Sequence, residues 1–167
     1  TKLLANKNYT DIKIFNINDY SPGKSLNLGV KKAKNDNILI MSAHCILKKI
    51  STKKIINDLK KYRAIFGNQI PIWKGKKISK RYIWSHFVNK KIKNMYSELE
   101  KRYFLHNAIC AYKKNFLKKN LFNEKLIGKE DRYWANDRII EGDKILYSPE
   151  NIVEHHYTDS GNTWKSL

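Results

Sequence analysis

Apolar positions along the chain alternate between strand-like and helix-like spacing, and the changes of period predict its elements. DIKIFNI (11–17) puts Ile12, Ile14 and Phe15 in a short strand-like run. SPGK (21–24) reads as a turn, after which SLNLGVKKAK (25–34) carries Leu26, Val30 and Ala33 at helical spacing. NILIMS (37–42) is a continuous apolar run, the pattern of a parallel strand covered on both faces. Strand, helix and strand in that order make a βαβ unit.

The alternation continues. A helix opens near Ser51 with Ile55, Ile56 and Leu59, and RAIFGNQI (63–70) follows as a strand. Residues 79–101 place Ile83, Trp84, Phe87, Val88, Ile92, Met95, Tyr96 and Leu99 at intervals of three and four, which predicts a long amphipathic helix. NAICAY (107–112) is strand-like, and EDRYWANDRIIEGD (130–143) reads as a helix ending near Gly142. KILYSPENIVEHHY (144–157) reads as two short extended pieces split by Ser148-Pro149. The expected architecture is α/β, a mostly parallel sheet flanked by helices in a single domain over residues 1–167. A chain of this length can hide roughly 70% of its unfolded surface, enough for a real core.

The formal charge of +19 would ordinarily point to nucleic acid or an anionic membrane. Composition weakens that reading, because 29 Lys stand against 5 Arg and accompany 21 Ile and 18 Asn. Base-reading proteins favour Arg, whose planar fork matches guanine edges and phosphates. The lysines fall in scattered pairs such as Lys31-Lys32, Lys60-Lys61 and Lys118-Lys119, the pattern of wet helix faces. Peripheral membrane association fits this surface, and a nucleic-acid partner is not expected. Cys45 and Cys110 form no framework, which predicts a reduced, cytoplasmic setting. No apolar run reaches the ~18 residues of a membrane span.

Three stretches could carry chemistry. Ligands of open α/β sheets bind beyond the carboxyl ends of strands, where Ser42 and His44 stand. Residues two apart share one side of a strand, so this Ser-x-His has the spacing of an Asp-x-Asp cation pair, although a lone strand-end His is more often structural. Glu130-Asp131 opens a helix, where acids commonly serve the macrodipole and the cap. His155-His156 closes an apolar piece, and such pairs are usually inert on a surface.

Taken in order, these stretches resemble family-2 glycosyltransferases of the GT-A fold, and are similar to bacterial rhamnosyltransferase-like enzymes. The loop-and-helix pattern matches at Gly23, Lys24, Leu26, Asn27, Gly29 and Ala33, followed by Ser42-Ala43-His44 in place of Asp-x-Asp. The stretch Ile65-Phe66-Gly67-Asn68-Gln69-Ile70-Pro71 matches next, then Asn107, Ala108 and Ala111. Phe122, Asn123, Glu124, Glu130 and Asp131 follow, and Pro149, Glu150, Val153 and His155 close the set. The family's first two nucleotide-holding strands have no counterpart, which suggests a fragment of a longer polypeptide or an incomplete enzyme.

The resemblance implies transfer of a sugar, with inversion, from a nucleotide-diphosphate sugar to a glycan or lipid-linked acceptor in surface-glycan assembly. It implies Asp131 as base with Glu130 beside it, and Gly23, Lys24, Asn27 and Ser42 on the donor diphosphate. It further implies His44 and His155 on a divalent cation, Mg²⁺ or Mn²⁺, and Asn107 and Trp134 toward the acceptor. Exchanging Asp-x-Asp for Ser-Ala-His removes two negative charges, which weakens the site for hard cations. A catalytically silent scaffold and a basic nucleic-acid-binding module remain alternatives at this point.

Overall fold

The computed structural model describes residues 12–80 and 82–157. Helix α1 (Pro22–Lys32) begins where the Ser21 side chain accepts from the Lys24 amide at 3.2 Å, with proline at the first helical position. Helix α2 (Thr52–Asp58) is short and carries Ile55 and Leu59 inward. Helix α3 is Lys114–Lys119, and α4 (Glu130–Ile140) starts after Lys129 at φ 60° with both acids in its first turn.

Among the described residues nine strands accompany them: β1 (Asn37–Met41), β2 (Cys45–Lys49), β3 (Ala64–Trp73), β4 (Lys76–Lys77), β5 (Ile92–Lys93), β6 (Tyr96–Ser97), β7 (Arg102–Tyr103), β8 (Ile109–Lys113) and β9 (Ile145–Tyr157). The main sheet runs in the order β1-β8-β3-β9-β2, with β4 on β3 and β5 on β9, while β6 and β7 form a separate hairpin. One face, through Phe66, Cys110 and Tyr112, joins the large core shared with Trp84, Phe104 and Trp134. The other face, through Ile65, Ala111 and Leu146, packs on Ile55 and Leu59 of α2. Each large side chain so buried contributes about 1.5–3 kcal/mol of transfer free energy.

The α/β architecture with flanking helices is as expected, but the sheet is mixed rather than mostly parallel. Only β3 and β9 pair in parallel among the described strands. β8 runs antiparallel to both β1 and β3, because residues 79–105 supply no crossover helix and the chain enters β8 from the opposite end of the sheet.

Residues 79–101 are a short 3₁₀ turn (Tyr82–His86) followed by β5 and β6, not a long helix. Ile83, Trp84, Phe87 and Met95 are still buried, so the spacing reported burial truly and conformation wrongly. The backbone turns at Tyr82, Asn94 and Lys101, whose φ values of 52°, 49° and 50° no α-helix accommodates.

β1 is an edge strand rather than a doubly covered one. Among the described strands it pairs only with β8, and Leu39 and Met41 are 45% and 44% exposed. Residues 12–17 form no strand, having no paired neighbour, and Ile12, Ile14 and Phe15 are exposed; residue 11 lies outside the described residues. β2 was not anticipated, and the two pieces expected at 144–157 are one strand, β9, whose register against β3 shifts between Gly67 and Asn68.

At that shift Gly67 admits no side chain: a Cβ would stand 2.5 Å from the Asn151 carbonyl oxygen and 2.7 Å from Ile109 Cγ2. Gly67→Ala should therefore cost on the order of 1–3 kcal/mol through overpacking, read as a lower urea midpoint with an unchanged m value.

Candidate active site

The turn after β1 brings Ser42 and His44 to the carboxyl end of that strand. The Ser42 amide donates to the Ala108 carbonyl at 3.3 Å, its hydroxyl to the Asn107 carbonyl at 3.3 Å, and the Cys45 amide closes the turn on Ser42 at 3.0 Å. His44 is held from the other side, its carbonyl accepting from the His156 amide at 2.9 Å.

Pairing of β2 with β9 sets Cys45 opposite His155, and the two imidazoles converge. His44 Nε2 lies 2.6 Å from His155 Nε2, with ring centroids 4.5 Å apart. His155 is 1% exposed and its Nδ1 stands 2.6 Å from Gln69 Oε1, while its ring stacks on Tyr157 at 4.7 Å. A carbonyl oxygen only accepts, so Nδ1 carries the His155 proton and Nε2 is left as a lone pair; His44 donates its own Nε2–H across the gap. Burial lowers the pKa of both rings, helped at His44 by the His156 charge and at His155 by the charges of His106, His44 and His156, which favours the neutral pair. His156, one residue on, points away toward Glu154 at 3.7 Å.

Glu130 and Asp131 open α4 at a cavity of about 790 Å³ whose walls include Ser42, Trp84, His106 and Asn107. Asp131 is 6% exposed; its Oδ2 accepts from the Asn107 amide at 2.7 Å and its Oδ1 from the Arg132 amide at 2.8 Å. Desolvation raises its pKa, opposed by the Arg132 charge and these amides. Glu130 is pushed up to about 7, first by burial and then by the neighbouring Asp131 charge.

His106 joins the two groups. Its Nδ1 accepts from the Ala108 amide at 3.2 Å and stands 4.0 Å from Asp131 Oδ2, while its ring meets that of His155 edge-on at 5.7 Å. Consecutive amides, 107 and 108, thus hold the carboxylate and the imidazole side by side. His44 and His155 themselves lie behind this imidazole and not in the cavity wall. Below the carboxylate, Arg132 pairs with Glu100 of the β6–β7 hairpin and lies over the Phe104 ring at 5.6 Å.

Several expected site residues stand elsewhere. Asn27 Nδ2 donates to the Phe122 carbonyl and to Glu124 Oε1, both at 2.9 Å, and its Oδ1 accepts from the Phe122 amide at 3.0 Å. A Cβ on Gly23 would meet the Asn123 carbonyl oxygen at 2.4 Å. These two residues clamp α1 to the 122–124 loop. Lys24 reaches the Asp19 carbonyl at 3.1 Å.

Trp134 is a core residue, 5% exposed, with Nε1 bonded to the Asn120 carbonyl at 2.6 Å, and it borders a second, smaller cavity beside Asp137 and Arg138. One helical turn beyond Asp131, it shares the buried face of α4. Asn107 does line the cavity; its Oδ1 accepts from Tyr112 at 2.6 Å and its Nδ2 is buried without a hydrogen-bond partner. Sequence reasoning missed His106, beside Asn107, and gave Gln69 no role although it stands in the Gly-x-Gln-Ile-Pro stretch.

The residues present test the expected cation. Two neutral imidazoles converge and one is oriented from behind by an amide oxygen, as ligating histidines are. No carboxylate joins them, and among the described residues no group of three His, Cys, Asp or Glu side chains could hold a metal ion. The set is two imidazole nitrogens facing each other at 2.6 Å, fewer ligands than hold an ion by themselves. It does not fit a protein-built cage for Mg²⁺, which demands oxygen.

No protein-family model matches the chain, and no curated protein matches it in sequence. Solved structures do match in fold. S. aureus TarS 1–349 in complex with UDP-GlcNAc superposes with a TM-score of 0.69 at 16% identity, over 99% of this chain and 48% of that one. TarS 1–349 with UDP gives 0.57 at 18% identity, over 83% and 40%. GalNAc-T7 with UDP, GalNAc and Mn²⁺ gives 0.58 at 15% identity, over 84% and 31%. The fold is that of the GT-A glycosyltransferases, and the chain spans about half the length of the first of these structures. No helix among the described residues is long and apolar enough to cross a membrane.

The raised Glu130 value has a consequence for stability. Because it lies above the ordinary 4.5, the folded chain holds this proton more tightly than the unfolded chain does. The resulting stabilisation is complete below pH about 4.5 and is lost as pH rises through about 7. Thermal midpoints followed from pH 4 to 8 should fall less steeply across that window in Glu130→Gln than in the unsubstituted chain.

Proposed function

We propose that the chain is the acceptor-side portion of an inverting glycosyltransferase that moves a sugar from a nucleotide-diphosphate sugar to a hydroxyl of a glycan or lipid-linked acceptor in surface-glycan assembly. The observation that carries this reading is the Asp131 carboxylate, buried at the cavity and fixed by the Asn107 amide, one imidazole away from the His44–His155 pair. Transfer needs two kinds of group. One removes the proton of the attacking hydroxyl, and the other holds the departing diphosphate.

In the proposed step the acceptor oxygen bonds to the anomeric carbon as the carbon–oxygen bond to the diphosphate breaks on the opposite side. The hydroxyl proton passes to Asp131. Desolvation makes this carboxylate a stronger base, while Arg132 and two backbone amides keep it ionised and aligned. Glu130, on the cavity wall with Asn107, orients the acceptor together with that residue.

Ser42, on the cavity wall, would face the donor, and Lys24, held at the Asp19 carbonyl, would act on the diphosphate only through its charge. His44 and His155 would hold a divalent cation, which when bound neutralises charge developing on the leaving diphosphate. Gly23 and Asn27 act indirectly, by seating α1. His106 stays neutral between the two ends, its pKa held well below the ordinary value by burial and the Arg132 charge.

The test is release of nucleoside diphosphate from a panel of nucleotide sugars, UDP-GlcNAc among them, with glycan and lipid-linked acceptors, using the complete polypeptide that contains this chain. Asp131→Asn should lower turnover by about 10² to 10⁴ and leave donor binding nearly unchanged. A variant keeping more than about a third of the activity, far outside the range for a lost general base, sinks the assignment.

A further inference from the structure

We infer that the acceptor is a glycan of at least two sugar residues, lying in a trough along one face of α4 that leads from Glu130 to Asp137; this rests on reading the large cavity as the acceptor end of the proposed site. A second cavity, of about 370 Å³, has Leu121, Asn123, Leu126, Tyr133 and Asp137 among its walls. Leu126 and Tyr133 also line the large cavity, so the two meet at these residues. Along α4, Glu130, Tyr133 and Asp137 follow at intervals of three and four and share one face of the helix. Glu130 belongs to the large cavity, Asp137 to the second and Tyr133 to both. Seven residues of helix advance about 10 Å, the reach of two linked pyranose rings.

The chemistry of the second cavity selects its occupant. Among the described residues the Asp137 carboxylate has no ion pair and no hydrogen bond, in a chain with 34 Lys and Arg against 15 Asp and Glu. Arg138, next in sequence, is bonded instead to Asn120 Oδ1 at 2.7 Å and to Glu141. Asn123 accepts from the Lys125 amide through Oδ1 at 2.9 Å, and its Nδ2 donors have no partner among the described residues. The wall thus offers one free acceptor and one free donor, and sugar hydroxyls supply the complement of both. Between the cavities the Tyr133 ring, 41% exposed, is fixed by the Arg102 guanidinium over it at 4.3 Å. It presents an aromatic surface to the C–H face of a pyranose.

Other occupants meet a penalty at the same wall. A lipid chain would bury an unpaired carboxylate, and a diphosphate would bring like charge against it. The sugar that bears the attacking hydroxyl therefore sits by Asp131, and the sugar behind it rests on Tyr133 and reaches Asp137. Tyr133 and Asp137 determine specificity and take no part in the proton transfer.

Saturation-transfer NMR on the complete polypeptide that contains this chain, with no nucleotide sugar present, tests this. The probes are methyl glycosides of hexoses, deoxyhexoses and N-acetylhexosamines, the disaccharides built from them, and dodecyl glycosides of the same monosaccharides. At least one disaccharide should bind about tenfold or more tighter than its component monosaccharides, the worth of one hydrogen bond to a charged group, with saturation on both rings. Tyr133→Ala and Asp137→Ala, at exposed positions where alanine keeps the helix, should each cut that preference to about threefold or less. The inference is overturned if no disaccharide is preferred, if the preference survives either substitution, or if a dodecyl glycoside binds tightest and is indifferent to Asp137→Ala. Turnover separates the two readings. A preferred disaccharide that binds while no nucleotide sugar is consumed upholds the trough and counts against the transferase. Transfer with equal kcat/KM onto monosaccharides and disaccharides upholds the transferase and counts against the trough.

Discussion

The parallel ladder between β3 and β9 is the constraint on which the molecule depends. It runs from Ala64 opposite Ile145 to Trp73 opposite Tyr157, and every other strand of the main sheet except β1 is hydrogen-bonded directly to one of these two. Its first half, Ala64–Gly67 and Ile145–Ser148, is buried on both faces; after the register shift β9 becomes alternately buried and half-buried. The shift carries the ladder out of the core toward the surface. Gln69 and His155 lie on the buried face of that outer half, two residues apart in register, so the pairing alone brings an amide oxygen to an imidazole 86 residues away.

Polarity is concentrated where backbone groups can hold it. Asp131, Asn107, Arg132 and His155 are all under a tenth exposed, a costly arrangement unless each polar atom is paired. Backbone amides do most of that work: those of Asn107 and Arg132 hold Asp131, and that of Ala108 holds His106. Arg132 offsets the acid charge and is itself paired with Glu100, so removing either partner would strand a buried ion. A hairpin tip with no chemistry of its own thus supports the carboxylate.

The basic surface plays a smaller part in this organisation than its size suggests. Exposed pairs such as Lys54–Glu150 and Lys91–Asp58 tie neighbouring segments together, but pairs of this kind are each worth little. The cavity wall instead combines carboxylates, imidazole, amide and aromatic groups. Charge of one sign on the outside and a nearly balanced set inside are separate features of the chain.

Local signals in the sequence determined what depends on neighbours a few residues away. Glu130-Asp131 starts α4, and the apolar runs at 37–41, 64–73 and 109–113 are strands because short-range spacing and capping suffice to specify them; α1 was legible too, although it begins at Pro22 inside the stretch expected as a turn. The order of motifs likewise sufficed to bring Ser42, His44, Glu130, Asp131 and His155 under suspicion together. What only the tertiary structure decided is everything set by partners far along the chain. Residues 79–101 bury Ile83, Trp84, Phe87 and Met95 at helical spacing without being a helix, since burial follows from where the core lies and not from the backbone period. Trp134 and Asn27, plausible ligand contacts by type, are consumed by Asn120 and by the 122–124 loop, whereas His106 and Gln69 acquire their places from β8 and β9. A side chain's chemistry is written in its residue type, but which atoms remain free to use it is settled by hydrogen bonds to groups that no local window of sequence contains.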